Sequence, residues 1–224
     1  MTAFALKMIA IITMFIDHFG YFINNGKISV CNYIGRIAFP IFAFQISQGY
    51  IHTSNLKQYF KRLFVFALIS QIPFFLYFHT ALHFNASLNI FFTLFLGLLC
   101  IYSYDKLPSK LFAIPIIAII CYIGEILKVD YGYWGILLIF MFYFTKDNKV
   151  LMSILFLVMC LIKYLIPSLL ISSLNIQSIL LALLTFVSII PMLLYNGKLG
   201  PKTKKLLYIF YPGHLLLLYI ATLL

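Results

Sequence analysis

Charged side chains are scarce in this sequence. Asp, Glu, Lys and Arg together make up 9% of the 224 residues, whereas hydrophobic residues make up 64%. A soluble globular domain carries roughly 45–50% apolar and about 25% charged residues. A chain with so few polar side chains has no means of covering its surface for water, which excludes a soluble protein. We therefore predict an all-α, polytopic integral membrane protein with the lipid bilayer as its solvent.

Long polar stretches are also missing, so no separate soluble domain is predicted. Residues 1–224 are expected to form a single integral membrane domain. A spanning helix needs about 20 apolar residues, which leaves room for roughly eight to ten of them. The first apolar segment, Ala3 to Ile23, is too long for a signal-peptide core and is not followed by a small-residue cleavage site. We expect it to be retained as a helix.

Metal-type cysteine spacing is absent. Of the four cysteines, Cys31, Cys100, Cys121 and Cys160, three lie inside apolar runs. We interpret them as small buried hydrophobic residues and predict no metal site. The formal net charge of +11 raises the question of nucleic-acid binding. The basic residues, however, stand in short loops between apolar runs, as membrane topology signals do, so no nucleic-acid partner is predicted.

The apolar runs predict nine membrane-spanning helices. The sixth is short enough to be tilted, broken or only partly inserted. Their approximate ranges are 4–23, 33–51, 60–78, 87–104, 111–127, 132–145, 149–167, 175–195 and 206–223.

The distribution of basic residues predicts the orientation, because cytoplasmic loops carry the excess of Lys and Arg. With the N-terminus inside and the C-terminus outside, twelve basic residues face the cytoplasm, three lie on the outer side, and Arg36 falls within the second span. The cytoplasmic set is Lys7, Lys57, Lys61, Arg62, Lys106, Lys110, Lys146, Lys149, Lys198, Lys202, Lys204 and Lys205; the outer set is Lys27, Lys128 and Lys163. We predict a multi-pass protein of the cytoplasmic membrane.

Ionisable side chains within spans are costly and usually functional. Asp17, His18 and Arg36 are such residues, and all three fall in the outer half of the membrane under this orientation. Asp17 is the natural partner of Arg36, because a guanidinium keeps its charge and needs a carboxylate or carbonyls. His18 then remains to accept and donate protons. Two simpler interpretations stay open: Asp17 and His18 mark the outer end of a helix, and Arg36 extends to the membrane interface.

Two further polar positions lie within predicted spans. His214 follows Pro212 and Gly213, which weaken the helix and can expose carbonyl groups to a cavity. A catalytic histidine and a hydrogen-bonded structural histidine are equally compatible with that position. Asn89 shares a helix face with Thr93, and these residues either join helices or line a pocket.

Five segments, in order along the chain, resemble TraX proteins. They are Leu6-Lys7 with residues 10–20, which end in Ile16-Asp17-His18-Phe19-Gly20; residues 35–44, which begin Gly35-Arg36-Ile37-Ala38-Phe39-Pro40; Arg62-Leu63 with Ser70-Gln71-Ile72-Pro73; Leu88-Asn89-Ile90 with Thr93-Leu94; and Phe210-Tyr211-Pro212-Gly213-His214-Leu215. Each segment alone is a weak signal, but the five in order are fairly specific.

The resemblance implies a membrane acetyltransferase that uses acetyl-CoA as acyl donor. TraX proteins are associated with N-acetylation of the pilin subunit in conjugation. They look similar to the wider group of transmembrane acyltransferases, in which a histidine is the catalytic base. By motif, Asp17 and His18 match the Asp-His pair, Arg36 the Gly-Arg pair, and His214 the Tyr-Pro-x-His segment. The acceptor is expected to be an amine or a hydroxyl of an exported peptide or surface glycan.

The mechanism that follows makes His18 the general base. Arg36 or Asn89 would stabilise the oxyanion. Five inner basic residues are candidates for binding the phosphates of acetyl-CoA, although they equally serve as topology signals: Lys61, Arg62, Lys202, Lys204 and Lys205. Two alternatives stay open, namely a proton-coupled transporter or lipid-handling protein with an Asp17, His18 and Arg36 relay, and an assembly factor without enzymatic activity.

Overall fold

The computed structural model describes residues 1–171, 175–201 and 206–224. Within these residues the regular structure is helical, and one isolated parallel bridge joins Leu88 to Val129. The prediction of an all-α protein is confirmed. The helices are α1 (Ala3–Ile23), α2 (Val30–Gly35), α3 (Ala38–His52), α4 (Leu56–Phe74, continued by π-helical turns over Phe75–Ala81), α5 (Ile90–Lys106), α6 (Lys110–Ile126), α7 (Gly132–Phe144), α8 (Lys149–Ile171), α9 (Ile176–Val187), α10 (Ile189–Leu193) and α11 (Leu206–Ala221).

Each predicted span overlaps one helix or two consecutive helices. In the part of the chain that the structure describes, four helical segments are long and apolar enough to cross a membrane: Ala3–Ile23, Leu56–Ala81, Lys149–Leu170 and Ile176–Leu193. Large apolar side chains on their surfaces are exposed, among them Ile72 (69%) and Leu170 (81%). Such surfaces are stable against lipid and not against water. The protein is therefore a membrane protein, while the count of nine spans stays a prediction.

Short polar side chains define several helix starts. The first N–H groups of a helix have no partner within it, and Ser, Thr, Asn or Asp supplies one. Thr2, Asn55, Ser109 and Asn175 accept from Ala5, Gln58, Leu111 and Ser178 at the starts of α1, α4, α6 and α9. These caps mark the short loops between apolar runs as the points at which one helix ends and the next begins.

The second predicted span, 33–51, is two helices and not one. Helix α2 begins earlier, at Val30, and ends at Gly35; α3 begins at Ala38, so the break falls at Arg36 and Ile37. Pro40 stands in the first turn of α3, where its missing N–H costs nothing. The break places Arg36 at the end of α2, where its side chain reaches Asp17 on α1.

The chain divides into two compact units. The first unit consists of residues 1–45 and 144–204, and the second consists of residues 46–143 and 205–224. In the first unit α1 packs on α2, α8 packs on α9, and α9 contacts α2. In the second unit α4 packs against α5 and α11, and α5 packs against α6. The single domain over residues 1–224 stays a prediction.

Backbone hydrogen bonds in the first unit join the N-terminus to the segment before α11. The N–H groups of Ala3 and Phe4 donate to the carbonyls of Lys198 (2.8 Å) and Leu199 (3.1 Å), and Asn196 donates to Met1 (2.9 Å). These bonds satisfy donors at the start of α1 that the helix cannot satisfy itself. Both segments therefore lie on the same side of the membrane, and their cytoplasmic placement stays a prediction.

A C-terminal tag is expected to be reachable from outside the cell. Nine spans with a cytoplasmic N-terminus place the C-terminus on the outer side, as the distribution of basic residues requires. Labelling of a cysteine in the tag by a membrane-impermeant reagent measures this directly. A tag that is labelled only after the membrane is opened would contradict the orientation and the outer-half placement of Asp17 and His18.

Candidate functional site

An ion pair between α1 and the end of α2 lies at the centre of the site in the first unit. Arg36 Nη2 donates to Asp17 Oδ1 at 3.0 Å, and Arg36 Nε donates to the carbonyl of Asn32 at 2.9 Å. The side chains of Arg36 and Asp17 are only 19% and 13% exposed. The predicted pairing of these two residues is confirmed.

Asn32 completes this pair and was missed by the sequence reasoning. Its Nδ2 donates to both the carbonyl (2.9 Å) and Oδ1 (3.1 Å) of Asp17, while its Oδ1 accepts from the backbone and hydroxyl of Ser29. Asn32 thus caps the start of α2 and orients the carboxylate in the same conformation. The sequence signal is Ser29 followed three residues later by a side-chain amide, the spacing of a capping box.

Gly35 allows α2 to approach the carboxylate of Asp17. A Cβ atom at Gly35 would overlap Cβ, Cγ and Oδ1 of Asp17. Gly20 plays the corresponding part on α1, where a Cβ would meet Cys31 Cβ and Ser29 Oγ. Small residues let membrane helices pack backbone against backbone. The sequence Gly35-Arg36 therefore has a physical reason, because Gly35 leaves space for Asp17 and Arg36 binds the carboxylate of Asp17.

His18 lies beside this ion pair. It is 9% exposed and lies within electrostatic range of Arg36. Successive helix positions point about 100° apart, so Asp17 turns toward Arg36 while His18 takes a different direction. The arrangement joins an imidazole, a fixed cation and a fixed carboxylate among apolar helices. The catalytic role of His18 stays a prediction.

Asn89 has a structural role in the second unit and is fully buried. Its Oδ1 caps α5 by accepting from Phe91, and its two amide hydrogens go to the carbonyl of Ala67 (2.7 Å) and Oε1 of Gln71 (2.8 Å). Thr93 donates to the carbonyl of Asp130. These contacts fit the interpretation that the residues join helices. An amide with both hydrogens bonded must break a bond to receive an oxyanion, so that role stays a prediction.

His214 is also in the second unit and is 4% exposed. Its Nδ1 lies 2.8 Å from the carbonyl of Phe210, and its ring stacks on the Phe210 ring with centroids 4.7 Å apart. A carbonyl only accepts, so Nδ1 carries a hydrogen and, in the neutral ring, Nε2 does not. This tautomer suits both interpretations, because a structural histidine needs the bond to Phe210 and a base needs an unprotonated Nε2.

The inner basic residues differ in their surroundings. Lys61 is exposed on α4. Arg62 is half-buried, and its guanidinium stands 5.6 Å from the ring centroid of Tyr59. Lys202, Lys204 and Lys205 lie outside the described residues. Binding of acetyl-CoA phosphates by this set stays a prediction.

A second carboxylate cluster, missed by the sequence reasoning, ties three helix ends in the second unit. Asp105 accepts from the hydroxyls of Tyr50 (2.8 Å) and Tyr143 (2.9 Å), and Lys106 Nζ lies 2.9 Å from its Oδ2. Asp105 lies just beyond the predicted span, and the hydrogen bond from Lys106, helped by the two tyrosines, lowers the pKa of Asp105 to about 2. The carboxylate holds the ends of α3, α5 and α7 together, all of which are predicted to face the cytoplasm.

Comparison with known proteins identifies the family. The family model described as TraX protein matches residues 3–222. The chain belongs to the TraX family. A probable fimbrial assembly protein, FimC of serogroup H1, from Dichelobacter nodosus is 27% identical to it over 245 residues, covering 97% of this chain and 94% of that protein.

A second relative aligns with a smaller part of this chain. An uncharacterized protein from Rickettsia prowazekii (strain Madrid E) is 28% identical over 151 residues, which are 64% of this chain and 56% of that protein. No solved structure matches the chain. The match to the family model covers both the segment that contains Asp17 and His18 and the segment that contains His214.

Replacing Gly35 with alanine is expected to destabilise this TraX protein by about 1–3 kcal/mol, the cost of overpacking a close contact. The added methyl group must push Asp17 away from Arg36. Gly213→Ala is the matched control, because a Cβ at Gly213 meets nothing within 4 Å. Thermal unfolding in detergent measures both. Equal melting temperatures for the two variants would contradict the proposed role of Gly35.

Proposed function

We propose that this protein is a membrane-embedded acetyltransferase. It transfers acetyl from cytosolic acetyl-CoA to an amine or hydroxyl of an exported or cell-surface acceptor. Membership of the TraX family supports the reaction class. The relative named as a probable fimbrial assembly protein supports an acceptor among surface-appendage subunits or their glycans. The proposal also places the protein in the cytoplasmic membrane, where acetyl-CoA is available on the inner side.

The observation that carries the proposal is the position of His18, a buried histidine beside the Asp17–Arg36 ion pair. Ionisable groups at such depth in a membrane protein are costly, and their retention marks a functional site. Asp17 and Asn32 fix the guanidinium of Arg36, so a positive charge stands at a defined place near the imidazole. A base next to a fixed cation is the combination that acyl transfer needs.

The proposed step begins with the acceptor. His18 takes the proton of the acceptor amine or hydroxyl as that atom bonds to the thioester carbonyl carbon. Negative charge develops on the carbonyl oxygen, and the guanidinium of Arg36 stabilises it. The carbon–sulfur bond then breaks, and the leaving thiolate of coenzyme A receives the proton from His18. This scheme is direct transfer. In the alternative with an acetyl-histidine intermediate, His18 itself attacks the thioester carbon, the thiolate leaves, and the acceptor then takes the acetyl group from His18.

The donor is a substrate that carries phosphates, so cations on the predicted cytoplasmic side suit it. The exposed side chain of Lys61 fits that role without rearrangement. Arg62 is half-buried beside the ring of Tyr59, so it is less open to a phosphate than Lys61. His214 and Asn89, the remaining site predictions, belong to the second unit and have local structural partners.

A proton-coupled transporter or lipid-handling protein is the second candidate. The same ion pair and histidine favour it, because carboxylate, histidine and arginine side chains form proton relays in membranes. Such a protein has no reason to bind acetyl-CoA or to cleave a thioester.

Incubation of the detergent-solubilised protein with acetyl-CoA distinguishes the two candidates. The proposal expects saturable binding and slow release of free coenzyme A thiol, with much faster release once an acceptor amine is added. Binding should weaken at high salt, since it depends on phosphate contacts. Absence of both binding and thiol release would reject the acetyltransferase and leave the transporter.

A further inference from the structure

Asn32 uses its whole side chain to connect the start of α2 to Asp17. Its Oδ1 accepts from the backbone N–H (2.7 Å) and the hydroxyl (3.0 Å) of Ser29, and its Nδ2 donates to the backbone carbonyl (2.9 Å) and Oδ1 (3.1 Å) of Asp17. A backbone N–H only donates, so the amide oxygen must face Ser29 and the amide nitrogen must face Asp17. Both hydrogens and both lone pairs of the amide are thereby used, and the residue is 1% exposed. Asn32 therefore has a single favourable orientation at this position.

The backbone carbonyl of Asn32 holds the other member of the ion pair. In a continuing α-helix this carbonyl would accept from the N–H of Arg36, four residues further on. Because α2 ends there, that N–H donates to the carbonyl of Tyr33 (3.3 Å), and the N–H of Ile37 donates to the carbonyl of Ile34 (3.2 Å). The side chain of Arg36 supplies a donor instead, with its Nε 2.9 Å from the carbonyl of Asn32. The end of α2 thus presents an oriented acceptor to the guanidinium.

These contacts close a ring that begins and ends at Asn32. Arg36 Nη2 donates to Asp17 Oδ1 at 3.0 Å, and the same oxygen accepts from Asn32 Nδ2. Two nitrogens of the guanidinium are therefore bonded to different acceptors, Asp17 and Asn32, which fixes the plane of this rigid group. Asn32 contacts both charged side chains, so a change at this one residue disturbs both of them.

We propose that Asn32 is a positioning residue for acetyl transfer, which holds Asp17 with its amide and Arg36 with its carbonyl. This inference rests on the proposed function for its catalytic part. Asp17 directly precedes His18 on α1, so the pair that Asn32 fixes stands next to the assigned base. A donor that is already oriented stabilises a developing oxyanion without reorganising during the reaction, and a misplacement of about 1 Å can cost about 100-fold in rate. Asn32 touches neither substrate; it acts through Arg36 and Asp17.

Asn32→Leu is the direct test, since leucine has a similar shape but its side chain neither donates nor accepts. Loss of the amide frees the carboxylate of Asp17 to move, so we expect kcat for acetyl transfer to fall roughly 10- to 100-fold. The KM for acetyl-CoA should stay within about twofold, because donor binding is assigned to the cytoplasmic side. Asn32→Ala, which adds no bulk, replaces it in the same comparison should leucine prevent folding. An unchanged kcat, or an effect confined to KM, would overturn the positioning role.

Two controls separate positioning from helix capping. Ser29→Ala weakens the start of α2 and should lower the melting temperature, but Asn32 keeps both bonds to Asp17, so kcat should stay within about twofold of the wild-type value. Asn175→Leu is the matched substitution, because Asn175 is an exposed residue of the same unit that caps α9 by accepting from Ser178 N at 2.7 Å. It should also retain kcat. Losses equal to that of Asn32→Leu would mean that any weakened helix start slows the reaction, which contradicts a specific role.

A thermal-melt cycle tests the contacts without any activity. Asn32→Leu should lower the melting temperature of the wild type by more than that of a background carrying Asp17→Asn and Arg36→Gln together, because a hydrogen bond to a charged group is stronger than one to a neutral amide. Equal shifts in both backgrounds would overturn the proposed fixation of the pair. If the wild type transfers no acetyl group but the cycle is non-additive, the proposed function fails while the fixation of Asp17 and Arg36 by Asn32 stands.

Discussion

Replacing His18 with alanine is expected to lower acetyl transfer by about 10²–10⁴-fold, the usual cost of removing a general base. The protein should remain folded and should still bind acetyl-CoA. Binding of the donor uses phosphate contacts on the cytoplasmic side, whereas the imidazole acts on the acceptor proton in the transition state. The effect should therefore appear in kcat and not in the dissociation constant of acetyl-CoA.

Two controls separate catalysis from folding. His18→Asn keeps a polar side chain in the buried position but cannot act as a base near neutral pH, and it should be as inactive as His18→Ala. His52→Ala removes an exposed histidine at the end of α3 and should leave the rate unchanged. Single-turnover acetyl transfer and thermal melting, measured on the same preparations, give both answers. Retained activity in His18→Ala would end the assignment of His18 as base.

Replacing Asp17 with asparagine is expected to destabilise the protein by roughly 3–5 kcal/mol, because it leaves a guanidinium without its counter-ion among apolar helices. The carboxylate accepts from both Arg36 and Asn32, so one substitution disturbs two hydrogen bonds. Adding Arg36→Gln should restore part of the stability, since no buried charge then remains. Melting temperatures in detergent across the two single variants and the double variant test this coupling.

Asp147→Asn is the control for this series. Asp147 is exposed in the loop between α7 and α8, and surface substitutions of this kind usually change stability by less than about 0.5 kcal/mol. If Asp17→Asn is as stable as the wild type but inactive, Asp17 takes part in the chemistry. The division of roles between a structural aspartate and a catalytic histidine would then be wrong.

Sequence reasoning succeeded where a residue violates the rules of its surroundings. A charged side chain inside an apolar run is costly, so Asp17 and Arg36 stood out, and their matching depth indicated the pair that the structure contains. Hydropathy likewise located a helix in every predicted span, because about 20 apolar residues in a row have few alternatives.

The remaining parts of the site carry no such signal. Asn32 lies at the start of a short helix, and its hydrogen bonds to Asp17 depend on how α2 packs against α1, which no local pattern encodes. The helix break at Arg36 was missed because the apolar run continues across it. Pro40 was a local signal for it, since proline is tolerated in the first turn of a new helix, but the run was predicted as one span.

Asn89 is a conspicuous residue for which the structure shows local partners. A polar side chain deep in an apolar region indicates a site by the same argument that identified Asp17. In the structure Asn89 caps α5 and joins α5 to α4, as one of the two interpretations of the sequence expected, and its catalytic role stays a prediction. Neutral amides can satisfy all their hydrogen bonds with backbone groups, whereas a buried guanidinium needs a charged partner.

Mass spectrometry of exported and surface material tests the central claim most directly. Three strains are compared, carrying the wild-type protein, His18→Ala, or no copy of the gene. Transmembrane acetyl transfer with His18 as base predicts a surface component that is heavier by one acetyl group only with the wild-type protein. Identical masses in all three strains would contradict acetyl transfer, and an acetyl group that persists with His18→Ala would contradict the assigned base.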